Sequence, residues 1–212
     1  YIPYSFINLC LPIKTMKSIL PINITFDRVV GNLAQLPFDE GIEVAVCGRS
    51  NSGKSSVINA LGKNKKLAKT SKTPGRTQTV NFFTINNDSQ KKLVDLPGYG
   101  YAKASKQDQN NWAQLVESYL LGRQCLKKVV VIMDIRHPFK EADLVFLNWC
   151  KGLPIKIFIC LNKADKLSNN QAGQSLAVAQ RAAQHYPEIE HLQICSAEKG
   201  NGLESLGSFI TS

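Results

Sequence analysis

Apolar and polar positions along the chain separate into short continuous apolar runs and longer stretches of helical period. "KVVVIMD" (128–134) is a continuous apolar run of strand length, and "EVAVC" (43–47) and "PIKIFICLN" (154–162) are mainly apolar stretches of similar length. Such runs belong to strands buried on both faces of a sheet. "TVNFFTI" (79–85) and "KKLVDL" (91–96) flank the polar stretch "NNDSQ" and read as a hairpin, which places one antiparallel strand in an otherwise parallel sheet. Between these runs, "DQNNWAQLVESYLLG" (108–122) sets Trp112, Leu115, Val116 and Tyr119 on one helical face, with Gly122 as its C-cap. Helices are also expected from Lys54 to Leu61, over 140–150, over 169–185 and in the closing "GLESLGSFI", with "LQICSA" (192–197) as the last strand. The order β-α-β-β-α-β-α-β-α-β-α predicts a three-layer α/β fold, a mostly parallel sheet of about six strands with helices on both faces.

The 212 residues suffice for one domain with a sizeable core. We expect a single domain over 25–212, preceded by an extension over 1–24. The opening "YIPYSFINLCLPIKTMKSILPINITF" has an apolar run broken by Asn8, Pro12 and Lys14. It reads either as an extension, with Met16 as an alternative start, or as a degenerate signal peptide. No apolar run reaches the roughly 18 residues of a membrane span, and no lipid-anchor signal is recognisable. The six cysteines are scattered without metal-site or redox spacing, and three lie in apolar runs, which suits a reducing cytoplasm. The 26 Lys and Arg against 16 Asp and Glu leave a net charge of +10. That excess suits simple solubility or a polyanionic partner such as nucleic acid. "GKNKKLAKTSKTPGRT" (62–77), with six basic residues and no acid, favours contact with phosphates.

The chemistry concentrates after the first strand. "GRSNSGKSS" matches G-x-x-x-x-G-K-[ST] at Gly48, Gly53, Lys54 and Ser55. Successive backbone N–H groups in such a turn form an anion-binding concavity, and the helix N-terminus adds positive partial charge. Lys54 then meets the β- and γ-phosphates, and the Ser55 hydroxyl a Mg²⁺ ion. Four further signals follow in order. Thr77, in the basic loop, can bind Mg²⁺ beside a γ-phosphate. Asp95 ends a strand and can hold a metal-bound water, followed by Leu96, Pro97 and Gly98, whose N–H can reach the γ-phosphate. "NKAD" places Asn162, Lys163, Ala164 and Asp165 after a buried strand, where Asp165 can accept from guanine N1 and N2. "CSA" places Cys195, Ser196 and Ala197 after the last strand, where the Ala197 N–H can meet guanine O6. Any one of these is weak; five in this order read as a GTP-binding domain. The expected ligand shell also takes in Arg49, Ser50, Asn51, Ser52 and Ser56 of the first loop, with Gly75, Arg76, Gln78 and Thr79 around Thr77. A phosphate-transferring P-loop kinase fits less well, because the last two signals serve guanine.

"GRSNSGKSS", "KTPGRTQTVNFF", "DLPGYGYAK", "DIRHP" and "LNKAD" together resemble the EngB/YsxC/YihA family of bacterial ribosome-biogenesis GTPases, from about Thr25 onward. The resemblance implies a Ras-like fold, Mg²⁺-dependent GTP binding and hydrolysis, action in large-subunit assembly and a link to normal septation. A monomer that docks on the large (50S) ribosomal subunit is the expected partner arrangement. The alternative is a GTP-latched cell-division or membrane-surface adaptor. Ser52 departs from the small apolar residue usual in the family, with little consequence expected.

One position raises a question of mechanism. Ras-type GTPases place a water-orienting glutamine after the glycine that here is Gly98; this chain has Tyr99. Neither general-base nor water-orienting chemistry suits that side chain, so we assign Tyr99 no catalytic role. Asn51 resembles the asparagine of K⁺-binding GTPases, and K⁺ could supply charge at the phosphates; the alternative is that Asn51 only tolerates an awkward backbone angle. The catalytic set is therefore Lys54, Thr77, Gly98 and, through K⁺, Asn51, with a docked partner completing it. Tyr99 and Tyr101 are read either as RNA-stacking platforms or as packing residues. His137 is read as a structural or solvated residue, and His185 and His191 as surface residues. Lys65, Lys66, Lys69, Lys103 and Lys106 are read as rRNA phosphate contacts or as a solvated face.

Overall fold

The structure, a computed structural model, describes residues 22–68, 79–100 and 106–212. Along the chain these form β1 (Ile24–Val30), β2 (Ile42–Gly48), α1 (Lys54–Leu61), β3 (Val80–Ile85), β4 (Asp88–Asp95), α2 (Lys106–Gly122), β5 (Leu126–Asp134), α3 (Glu141–Cys150), β6 (Lys156–Asn162), α4 (Asn169–Ala183), β7 (Ile189–Ile194) and α5 (Leu203–Thr211). One sheet holds all seven strands in the order β1-β3-β4-β2-β5-β6-β7. Pairing is antiparallel on both sides of β3 and parallel everywhere else, so β3 alone runs against the rest.

The apolar runs occupy the centre of the sheet, and their side chains alternate between two cores. Val44, Val46, Val130, Ile132, Phe158 and Cys160 pack toward α1 and α5. Ala45, Cys47, Val129, Val131, Met133, Ile157 and Ile159 pack toward α2, α3 and α4. The middle positions of each central strand are therefore apolar on both faces, because neither face meets water there. The face of α2 expected from its period is also the buried one, with Val116 and Tyr119 inaccessible to solvent.

The seventh strand is β1, which pairs along β3 from Ile24↔Ile85 to Val30↔Val80. Ile22 and Asn23 continue the packing ahead of it: Ile22 is buried beside α5, and Asn23 exchanges backbone and side-chain hydrogen bonds with Asn86 and Asn87. The β3–β4 turn is tighter than the five residues expected. Asn86 (φ 53°) and Asn87 (φ 57°) alone connect Ile85 to Asp88. Positive φ at both central residues matches the right-handed twist of the strands, and asparagine tolerates it.

Ahead of β2, residues 37–39 are clamped to the end of α2. Buried Glu43 accepts from Tyr119 Oη at 2.6 Å and pairs with the Arg123 guanidinium, which also donates to the Pro37 and Phe38 carbonyls. The Asp39 carboxylate takes the Gln124 and Cys125 N–H groups at 2.9 and 2.8 Å. Removing Arg123 would leave Glu43 without its cationic partner at 1% exposure, a loss of about 3–5 kcal/mol for such a site. This clamp fixes the far end of α2, while the carboxyl ends of β2, β4, β5 and β6 and the loop after β7 meet at the opposite edge of the sheet.

Candidate guanine-nucleotide site

Parallel pairing brings the distant motifs together. The phosphate-loop candidate, residues 48–53, joins β2 to α1, and Gly53 stands at φ 94° as the helix N-cap. That angle excludes other residues, and a side chain there would meet Asn162 Nδ2 at 2.3 Å. Gly48 is equally constrained, since a Cβ would lie 2.4 Å from the Ile132 carbonyl of β5.

Asn162, at the end of β6, joins three motifs. Its Nδ2 donates to the Ser52 carbonyl at 3.0 Å, and its Oδ1 accepts the Ala197 N–H at 3.0 Å. The amide is 2% exposed, so both bonds lie out of water. Lys163 (φ 69°) extends its ammonium to the Asn51 carbonyl and to Asp134 Oδ2, the latter at 3.0 Å. Asp165 Oδ1 accepts from the Ser196 hydroxyl at 2.7 Å. That hydrogen bond, ahead of the Lys166 ammonium, holds the carboxyl below the usual range, so Asp165 is ionised and an acceptor at neutral pH. The Lys199 N–H in turn fixes the Ser196 hydroxyl at 3.1 Å.

On the phosphate side, Lys54 Nζ forms an ion pair with Asp95 Oδ1, and Asn81 Nδ2 lies 3.4 Å from Asp95 Oδ2. Ser55 sits beside Lys54 in the first turn of α1. A hydroxyl and a carboxylate at the mouth of the phosphate loop are hard oxygen donors suited to Mg²⁺. Leu96 is buried, and its N–H continues the β2–β4 ladder by donating to Val46 O at 3.0 Å. Gly75, Arg76, Thr77 and Gln78 lie outside the described residues, as do Lys69, Tyr101 and Lys103. Thr79 is half-buried immediately before β3.

Tyr99 is a packing residue here. It is 2% exposed, stacks on Phe146 with ring centroids 5.6 Å apart, and contacts Trp112. The RNA-stacking reading of Tyr99 is thereby corrected: the ring that would stack on a base is already sandwiched between α2 and α3. Its hydroxyl donates to Asp143 Oδ1 at 2.9 Å. Burial, with the Asp143 carboxylate alongside, pushes that hydroxyl far above the usual phenol range, so it stays a donor.

Other expectations fall unevenly. Asn51 adopts φ 64° with an exposed side chain, so the backbone part of its two readings is present. Ser52 is buried and its hydroxyl has no hydrogen-bond partner among the described residues, a cost of about 1–3 kcal/mol at the departure from the family pattern. His137 is exposed and contributes its carbonyl, which accepts from Arg49 Nη2 at 2.6 Å. His185 is exposed, but His191 is not a plain surface residue: it is half-buried between the rings of Phe158 and Phe209. Lys63, Lys65 and Lys66 are exposed after α1, in a loop fastened by the Asn59 side chain through Lys65 O, Ala68 O and Ala68 N.

Two site residues escaped the sequence reading. Asp134, at the end of β5, is paired by Arg136 and Lys163, which outweigh its partial burial and hold its carboxyl far below the usual range. It thereby fixes the lysine of the "NKAD" loop. Asp143 on α3 is fully buried and holds Arg49 of the phosphate loop. "DIRHP" pointed to the first region; an aspartate one position inside an apolar helical run was the available signal for the second.

Comparison with known proteins settles the family. Residues 43–163 match the family described as "50S ribosome-binding GTPase". A "Probable GTP-binding protein EngB" of Coxiella burnetii is 49% identical over 177 residues, covering 84% of this chain and 85% of the relative. The chain belongs to the EngB family of GTPases. A second EngB relative, from Mannheimia succiniciproducens, is 42% identical over 187 residues, covering 88% of this chain and 90% of its own. The crystal structure of a "probable GTP-binding protein engB" matches with a TM-score of 0.63 over 79% of this chain and 96% of that one, and at 22% identity it supports the fold. As an EngB GTPase the chain binds guanine nucleotides and hydrolyses GTP. No helix of the described residues is long and apolar enough to cross a membrane.

If Asp165 reads guanine, Asp165→Asn should lower GDP affinity by roughly a hundredfold or more, since a donor replaces the acceptor that N1–H and N2–H require. Affinity for xanthosine diphosphate, whose C2 carbonyl accepts that donor, should rise. Fluorescent-nucleotide titration measures both; an unchanged GDP affinity would remove Asp165 from base recognition.

Proposed function

We propose that this EngB GTPase is a switch in assembly of the large ribosomal subunit, docking as the GTP form and leaving after hydrolysis. The observation that carries this reading is a guanine-nucleotide site on a domain that also exposes a basic loop. Lys63, Lys65 and Lys66 project from the segment that leaves α1, the helix whose N-terminus forms the phosphate loop. A patch of that sign suits RNA phosphates, and the family's ribosome-binding description agrees with it. A link to septation follows in this reading from ribosome supply, and a cytoplasmic monomer suffices for it.

In this reading the nucleotide spans the carboxyl edge of the sheet. Amides of 48–56 and Lys54 bind the phosphates, and Ala197 N–H and Asp165 hold the base. Mg²⁺ would be held by Ser55, Thr77 and, through water, Asp95; when bound it neutralises charge on the β- and γ-oxygens. Nucleotide phosphates compete with Asp95 for Lys54, so the Lys54–Asp95 pair marks where incoming negative charge is accommodated. Gly98 offers its N–H to the γ-phosphate. With Tyr99 turned away from the phosphates, charge and water positioning come from K⁺ on Asn51 and from the docked subunit.

Two tests follow. Pelleting with purified 50S subunits should need a non-hydrolysable GTP analogue rather than GDP, and should weaken with salt. Replacing Lys63, Lys65 and Lys66 with Gln should cut it by about tenfold at moderate salt. Absence of pelleting in either nucleotide state would favour the division or membrane-surface reading. Hydrolysis should be faster in K⁺ than in Na⁺ buffer, and Asn51→Ala should erase that difference; a preference kept in the variant removes Asn51 from ion binding.

A further inference from the structure

One buried carboxylate gathers three parts of the molecule. Asp143, fully inaccessible in the first turn of α3, accepts from Arg49 Nε at 3.1 Å, from Tyr99 Oη at 2.9 Å and from the Lys140 N–H at 2.9 Å. Arg49 belongs to the phosphate loop, Tyr99 follows the glycine expected at the γ-phosphate, and Lys140 opens α3. Loss of the carboxylate would leave the buried Tyr99 hydroxyl without its acceptor and the half-buried Arg49 with only the His137 carbonyl.

The same segment is held along its backbone. The Tyr99 N–H donates to Gly48 O at 3.2 Å, and the Tyr99 carbonyl takes the Ser50 N–H at 2.7 Å. Pro97 O accepts from Trp112 Nε1 at 2.8 Å. Gly98, between these two anchored residues, has little freedom to turn its N–H. Ser50 N–H, a donor of the phosphate loop, is also occupied. GDP makes no demand on this segment, whereas a γ-phosphate adds an acceptor that competes for these N–H groups. Only a contact that differs between two ligands can shift the equilibrium between two arrangements.

We propose that Asp143 is a positioning residue of the GTPase cycle: it latches Tyr99 and Arg49 together in the arrangement described, which suits GDP, and it releases Tyr99 when a γ-phosphate draws Gly98 toward itself. Freed from its anchor, Tyr99 leaves the Phe146 and Trp112 rings, and α2 and α3 lose a shared packing element. The latch thus carries nucleotide state from the phosphate loop to the α2–α3 face. Burial pulls the Asp143 carboxyl upward, and the Arg49 guanidinium, then the Tyr99 hydroxyl, oppose that pull. The carboxylate depends on partners from two separate loops, so loosening one weakens its hold on the other.

The chain's two tryptophans supply the readout. Trp112 contacts Tyr99 and Trp149, each with centroids 5.6 Å apart. The inference rests on guanine-nucleotide binding by this chain. In the full-length protein, the GTP analogue should change tryptophan emission relative to GDP. Tyr99→Phe keeps the ring and removes the hydroxyl donor. It should raise affinity for the analogue by about tenfold while GDP affinity stays within about twofold. Asp143→Asn should move the same ratio in the same direction. A ratio unchanged in Tyr99→Phe, with the wild-type emission response intact, would overturn the latch while leaving the GTPase reading in place. Wild-type protein that binds neither nucleotide would overturn both. Should Asp143→Asn fail to fold, Tyr99→Phe decides alone, because its ring still fills the site between α2 and α3.

Discussion

The Asn162 side chain is the contact on which the site depends. One buried amide holds the phosphate loop through Ser52 and the last loop through Ala197. It can do so because Gly53 has no side chain where its Nδ2 sits. The base-reading and phosphate-reading loops come from opposite ends of the sequence, and this amide makes them one rigid unit. Lys163 reinforces it by reaching back to the Asn51 carbonyl, itself steadied by Asp134. In the proposed reading, nucleotide would then meet a preformed surface rather than ordering three loops at once.

Around that rigid half lies a conditional one. Residues 97–99 are held by hydrogen bonds to Trp112, Gly48, Ser50 and Asp143, which the proposed latch would have a γ-phosphate loosen. The buried Glu43–Arg123–Tyr119 clamp fixes the far end of α2. In the proposed cycle, rearrangement after β4 would then be confined to the near end of α2 and its packing on α3. A fixed base site beside a contestable phosphate sensor is the physical requirement for a switch, because affinity must be kept while shape changes.

Much of this was legible in the sequence, for reasons that differ by element. The central strands announced themselves because both faces are buried, and α1 because a phosphate loop must end in a helix. The edge strand β1 was missed. "ITFDRVV" breaks alternation through a bulge between Phe26 and Arg28 and exposes Phe26 and Val29, so neither the buried-run nor the half-buried signature applies. Asp165 and Ala197 were readable because local spacing carries their chemistry. Asp143 was not, since its partners Arg49 and Tyr99 lie 94 and 44 residues away. Tyr99 was recognised as the wrong residue for water positioning; that its ring closes the gap between α2 and α3 needed the fold.

In the proposed reading this GTPase lacks one of its own groups at the transition state. The most direct measurement is single-turnover GTP hydrolysis in K⁺ buffer, with and without saturating 50S subunits. The account predicts slow hydrolysis alone and acceleration by at least about tenfold on the subunit, the scale expected when a partner supplies one missing charge or water-positioning group. An equal rate with and without subunits, under conditions where the complex forms, would contradict it.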